Sequence, residues 1–358
     1  MTVWRKNRTD GSADPEHVIL YVSQRRGGDN IFAIDATDLN NPRQIWNING
    51  NNSDFSALGQ TWSQPVLTQV KVDGAKIPVL VFGGGYDAVL NDDADTVNSS
   101  DVVGNAIYVV NAYTGALLWS AANRGADVNN TDMKWSIPAP ISVVDNNYDG
   151  VADFFYAVDM GGHIFRVDLD QNNTAADDLA FRVTTFAQLG TGESGASGIA
   201  DHRRFFSQPS IVLNQREGQP VLLQVAVGSG YRAHPLDEQT DDRFYVLDDK
   251  DALSALSSTF TASSAYTTGD LENVTTNLSP AASSFTGKSG WYIDLEVGEK
   301  VLAPAVTVSG TVFFSTYLPK SNNTNPCASV VGASRLYAVN ALDGSPAVNF
   351  EDLTSARY

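Results

Sequence analysis

The chain has 358 residues, a formal net charge of -18 and a pI near 4.4, a balance that repels phosphate and excludes nucleic acid as a partner. With 42% hydrophobic and 18% charged residues its composition is globular, and no apolar run is long enough to cross a bilayer as a helix. Cys327 is the only cysteine, so no disulfide can close within the chain.

The first residues, 1–6 (MTVWRK), carry no apolar signal core. A degenerate unit then recurs, with an apolar residue, an aromatic, any residue, an apolar one and Asp or Asn. It stands at 31–35 (IFAID), 107–111 (IYVVN), 164–168 (IFRVD), 244–248 (FYVLD) and 336–340 (LYAVN). The aromatic positions are 76, 57, 80 and 92 residues apart, spacings that suit propeller blades enlarged by loop insertions. Upstream of most units a proline opens a strand, at Pro65, Pro140, Pro209 and Pro304; the first residue of a strand needs no N–H for the ladder. Second strands are read at 79–82 (VLVF) and 222–227 (LLQVAV), each closed by glycine, and 112–115 (AYTG) leads into 116–119 (ALLW) as a hairpin. Each unit thus reads as three or four successive strands, so an all-β chain of propeller blades is expected. The whole of 1–358 is expected to be one domain with insertions near 88–105 and 250–289, the second opening on a short helix at 250–256.

Within the third unit, 145–153 (DNNYDGVAD) is the most specific feature. Asp145, Asn147, Asp149 and Asp153 place side-chain oxygens at positions one, three, five and nine, and Val151 at position seven offers a backbone carbonyl. Ca2+ is a hard cation that takes about 6–8 oxygens, and short acidic or amide side chains alternating on a tight turn can supply them. Gly150 at position six permits the sharp turn. Position twelve is Tyr156 where an EF-hand has Glu, and the flanks 140–144 (PISVV) and 154–158 (FFYAV) read as strands rather than helices. These five residues are the candidate metal ligands.

Other patterns carry less. The 190–195 stretch (GTGESG) has the dinucleotide spacing, but no helix is read after it, so it is taken as a loop. The glycines at 83–85 and 228–230 lack a following Lys-Ser or Lys-Thr, and no nucleophile elbow occurs. His17, His163, His202 and His234 make no zinc spacing. The pairs Asp241, Asp242 and Asp248, Asp249 are expected to be solvated turn acids, and Trp46, Trp119 and Trp291 to be buried strand residues.

Taken in order, 24–28 (QRRGG), 58–65 (LGQTWSQP), 82–87 (FGGGYD), the 145–153 loop with 161–168 (GGHIFRVD), 290–295 (GWYIDL) and 298–302 (GEKVL) resemble the C-terminal domain of the PilY/PilC family of type IV pilus tip-associated proteins. The resemblance implies a modified seven-bladed β-propeller, quinoprotein-like, with one Ca2+ held by the loop. Five units are counted here, so the chain is expected to be incomplete at one or both ends and a fragment of a longer protein. The resemblance further implies a non-enzymatic protein of pilus biogenesis, cell adhesion and twitching motility, whose calcium occupancy modulates pilus extension and retraction. The partners implied are pilins or minor pilins at the pilus tip, and a host or abiotic surface met through regions outside this chain. The location implied is the bacterial cell surface, reached through the periplasm and outer membrane. Two alternatives stay open. A quinoprotein dehydrogenase using pyrroloquinoline quinone (PQQ) would share the 113–119 pattern (YTGALLW), although no coherent set of cofactor ligands can be nominated. An integrin-like calcium propeller would predict several such loops, and one is found.

Overall fold

The computed structural model describes residues 1–7, 15–93, 96–97, 99–169, 181–191, 193, 196, 198–215, 221–251, 264–319, 332–348 and 357. They form five sheets in chain order. The first contains β1 (Thr2–Asn7), β2 (Pro15–Ser23), β3 (Ile31–Asp35) and β4 (Arg43–Ile48). The second contains β5 (Val66–Val72), β6 (Ala75–Gly83), β7 (Ala106–Asn111), β8 (Leu117–Ala122) and the short β9 (Val128–Asn129). The third is β10 (Ser142–Val144), β11 (Phe154–Val158), β12 (His163–Leu169) and β13 (Phe181–Gln188). The fourth is β14 (Ser210–Gln215), β15 (Val221–Gly228), β16 (Arg243–Asp249), β17 (Glu272–Asn273) and β18 (Gly290–Asp294), and the fifth is β19 (Lys300–Val301), β20 (Val306–Val308), β21 (Thr311–Leu318) and β22 (Ala333–Asn340). The one α-helix among the described residues, Ala88–Asn91, is a single turn.

Each of the five signature segments is the third strand of its meander: β3, β7, β12, β16 and β22. In β7, β12 and β16 the near-continuous apolar runs follow from burial on both faces, as in β7, where Ala106 to Val110 are all buried. In three of the five, the Asp or Asn that ends the signature turns the chain. Asn111 Oδ1 accepts the Tyr113 and Thr114 N–H groups at 2.9 and 3.1 Å, Asn340 Oδ1 accepts Leu342 N–H at 2.9 Å, and Asp35 Oδ1 accepts Thr37 N–H at 3.0 Å. A short side-chain acceptor bonding the backbone two residues on is an Asx turn, which is why the pattern closes on those residue types. Pro65, Pro140, Pro209 and Pro304 stand just ahead of β5, β10, β14 and β20.

By contacts the chain divides into two compact units, Met1–Asn91 with Asn98–Asp159 and Arg166–Thr184, and Asp92–Val97 with Met160–Phe165 and Thr185–Tyr358. The first has a core around Tyr21, Ile31, Trp46, Phe82 and Tyr108, and the second a core around Phe244, Val246, Trp291, Phe314 and Val339. Each core contains the same docking contact. In the first unit Trp46 Nε1 donates to the Ala112 carbonyl at 3.2 Å, and Gly115 lies against its indole. In the second, Trp291 Nε1 donates to the Ala341 carbonyl at 2.9 Å, and Gly344 lies against that ring. The Ala-x-x-Gly turn after the third strand is thus a seat for a tryptophan. Trp119 is buried as expected but packs edge-on against Phe181 at 4.5 Å, and its Nε1 has no partner among the described residues.

Two short parallel strands depart from the sequence reading, one of them inside the second insertion. Residues 264–289 are not wholly loop, because β17 adds a parallel strand beside β18; β9 does the same beside β8. Two-residue strands leave no period to read. The helix expected at 250–256 falls, from residue 252 onward, outside the described residues, as does Cys327.

Candidate metal centre

The 145–153 stretch is the turn of the β10–β11 hairpin, whose register places Val144 opposite Phe154. Its shape follows from short polar side chains folding back on their own backbone. Asp145 takes Asp149 N–H on Oδ1 at 3.2 Å and Gly150 N–H on Oδ2 at 2.8 Å. Asn147 Oδ1 also accepts Asp149 N–H, at 2.9 Å, and Asp149 Oδ1 accepts Val151 N–H at 2.9 Å. Asp153 Oδ2 accepts Asn146 N–H at 2.7 Å, and its own N–H bonds the Val144 carbonyl at 2.8 Å. Two residues carry positive φ, Tyr148 at 59° and Gly150 at 82°. Val151 is buried and anchors the turn, while the Tyr148 ring at its tip is 84% exposed.

The electrostatics differ along the turn. Burial pushes the Asp153 carboxyl up, with the nearby charges of Asp145 and Asp149 acting in the same direction. The Asp149 carboxyl is held below the usual range, first by its hydrogen bond from Lys71. Lys71 Nζ lies 3.1 Å from Asp149 Oδ2, and Lys76 Nζ donates to the Asp149 carbonyl. Both lysines belong to the β5–β6 hairpin, where they are direct cross-strand partners. A backbone bond of 2.9 Å from Ala152 N–H to the Gln69 carbonyl fastens the turn to β5. Beside it opens a cleft of about 700 Å3 lined by Trp4, Lys6, Leu67, Thr68, Gln69, Pro78, Tyr113 and Gly150.

The structure therefore places Asp145, Asn147, Asp149, Val151 and Asp153 on one turn. The carboxylates are spread along it. Among the described residues no three His, Cys, Asp or Glu side chains form a group that could hold a metal ion by themselves. The donor chemistry nevertheless suits a hard cation: an oxygen that accepts one N–H keeps a second lone pair.

The acid pairs at 241–242 and 248–249 correct the sequence reading at three of their four residues, Asp241 alone being exposed as expected. Asp242, Asp248 and Asp249 are buried rather than solvated. Each is held by a nearby donor: Ser229 Oγ reaches Asp242 at 2.6 Å, Gln224 Nε2 reaches Asp248 at 2.8 Å, and Asp251 N–H reaches Asp249 at 3.0 Å. Burial raises the Asp242 carboxyl to about 6. Asp101 in the first unit is another buried acid, bound to Ser136 through N–H and Oγ at 2.7 and 2.6 Å and also raised to about 6 by burial. The lysine fork was missed as well. Its signal was 71–76 (KVDGAK), since Asp-Gly is a tight-hairpin turn, but nothing local says which loop the lysines meet.

Residues 3–255 match the family described as the PilY1 beta-propeller domain. The chain belongs to that family. The type IV pilus biogenesis factor PilY1 homolog of Xylella fastidiosa is 26% identical over 359 aligned residues, which cover 94% of this chain and 22% of that protein. Type IV pilus biogenesis factor PilY1 of Pseudomonas aeruginosa strain PAO1 is 27% identical over 358, covering 87% of this chain and 28% of the relative. The chain thus spans about a quarter of the length of these relatives. The crystal structure of the Pseudomonas aeruginosa PilY1 C-terminal domain aligns with a TM-score of 0.63 at 20% identity, covering 96% of this chain and 71% of that one. The fold is a β-propeller, and the all-β reading holds.

Proposed function

We propose that this chain is the calcium-binding propeller of a non-enzymatic type IV pilus biogenesis and adhesion protein, in which Ca2+ occupancy of 145–153 modulates pilus extension and retraction, and so twitching motility and surface attachment. The observation that carries the reading is the turn itself: five candidate donors on one hairpin, in a chain whose relatives are named pilus biogenesis factors. Asp145, Asn147, Asp149 and Asp153 would hold the ion by side-chain oxygens and Val151 by its carbonyl. A bound divalent cation would offset two of the three carboxylate charges and order the turn. Gly150 belongs both to the turn and to the wall of the Trp4 and Tyr113 cleft, so ordering would fix the surface offered to pilins or minor pilins at the tip. Such ordering changes an interface only when the partner distinguishes the two states. Host or abiotic surfaces are assigned to regions outside this chain, and the location proposed is the bacterial cell surface at the pilus tip, reached through the periplasm and outer membrane.

The test is calorimetric titration of the metal-stripped chain with Ca2+, alongside Asp149→Ala and a Mg2+ control. One saturable calcium site that is lost in the variant is expected. A folded protein that takes up no calcium would end this reading. Added PQQ and an alcohol with a dye acceptor should give no turnover, and turnover would favour the dehydrogenase instead.

A further inference from the structure

We propose that Lys71 is a built-in competitor for the metal, so that Ca2+ binding to the 145–153 turn is a cation exchange at Asp149 in which Lys71 is displaced and Lys76 stays on the backbone carbonyl. The proposal rests on the calcium reading above. Lys71 and Lys76 stand directly opposite one another across the β5–β6 hairpin, an arrangement of like charges that is unfavourable unless a counter-charge lies between them. Asp149 supplies it, taking Lys71 on Oδ2 at 3.1 Å and Lys76 on its main-chain oxygen. The hairpin turn that sets them opposite is itself specified, with Asp73 and Gly74 both at positive φ, 51° and 73°, the two-residue form that Asp-Gly favours.

A divalent cation on Asp149 and an ammonium 3.1 Å from the same carboxylate repel one another, so each weakens the hold of the other. Lys71 is the group placed to yield, because its contact with Asp149 is a part-exposed side-chain pair on a flexible stem. The backbone bond from Ala152 N–H to the Gln69 carbonyl, 2.9 Å, stays in place, so the exchange is confined to side chains. The consequence is a calcium affinity set by the neighbouring sheet as well as by the loop.

Titrating wild type, Lys71→Met and Asp149→Ala with Ca2+ tests this, with thermal melts to establish folding. Lys71→Met should tighten the dissociation constant about two- to fivefold, the scale of a part-exposed ion pair. Lysine acylation read by peptide mass spectrometry supplies a second measure. Calcium should raise the reactivity of Lys71 in wild type, and in Asp149→Ala that reactivity should exceed that of calcium-free wild type and should not respond to the ion. If wild type binds calcium and Asp149→Ala does not, an unchanged or weaker constant in Lys71→Met overturns the exchange and leaves the calcium site standing. If wild type binds no calcium, both proposals fall, while high Lys71 reactivity in Asp149→Ala would still register the ion pair.

Discussion

Lys71 and Lys76 are cross-strand partners in one hairpin and both end on Asp149, in the turn of another. The pairing joins the second and third sheets through a single acidic residue that is also the central candidate ligand.

Gly150 lies at φ 82° with open space around it, its nearest neighbour being Lys76 Nζ at 3.9 Å from where a Cβ would stand. Gly150→Ala therefore meets backbone strain and no clash. The expected loss is about 1–2 kcal/mol of local stability, seen as weaker calcium binding with a nearly unchanged global urea midpoint.

Gly115 combines positive φ, 72°, with close packing, since a Cβ would stand 2.8 Å from Trp46. Gly115→Ala should cost about 2–4 kcal/mol from strain and overpacking together, read as a lower urea midpoint with altered tryptophan fluorescence. Gly344→Ala should behave alike against Val274 and Trp291, which a Cβ would meet at 2.8 and 3.1 Å. A fall no larger than that in Gly150→Ala would discount the docking seats.

Asp101 gives a pH prediction whose sign is fixed by burial. Its folded value of about 6 lies above the ordinary carboxylate value, so its contribution is fully present below about pH 4 and is lost as pH rises through 6. Asp101→Asn keeps an oxygen for the Ser136 N–H and Oγ. Relative to wild type it should be neutral near pH 4 and more stable by up to about 3 kcal/mol above pH 7, measured by urea midpoints across that range.

Tyr148 holds a positive φ of 59° with an exposed ring, so its conformation has little packing to offset it. Tyr148→Asn should stabilise the turn by about 1 kcal/mol, because Asn tolerates that region, and should leave calcium binding intact. A loss of binding would mean that the ring shapes the site.

By itself the sequence determined what local chemistry determines. Alternating and continuous apolar runs set the strands, Asp35, Asn111 and Asn340 closed their strands because a short acceptor can bond the backbone two residues on, and 145–153 was a hairpin turn because its flanks were strand-forming. Tertiary structure decided what depends on which elements meet. It buried Asp242, Asp248 and Asp249, which adjacent positions on a strand could equally have left in water, and it seated Trp46 and Trp291 on alanine carbonyls far away in sequence. It also brought Lys71 to Asp149, 78 residues on. A lysine in a hairpin carries no local sign of the carboxylate it will find, because that contact is specified by the packing of one sheet on the next.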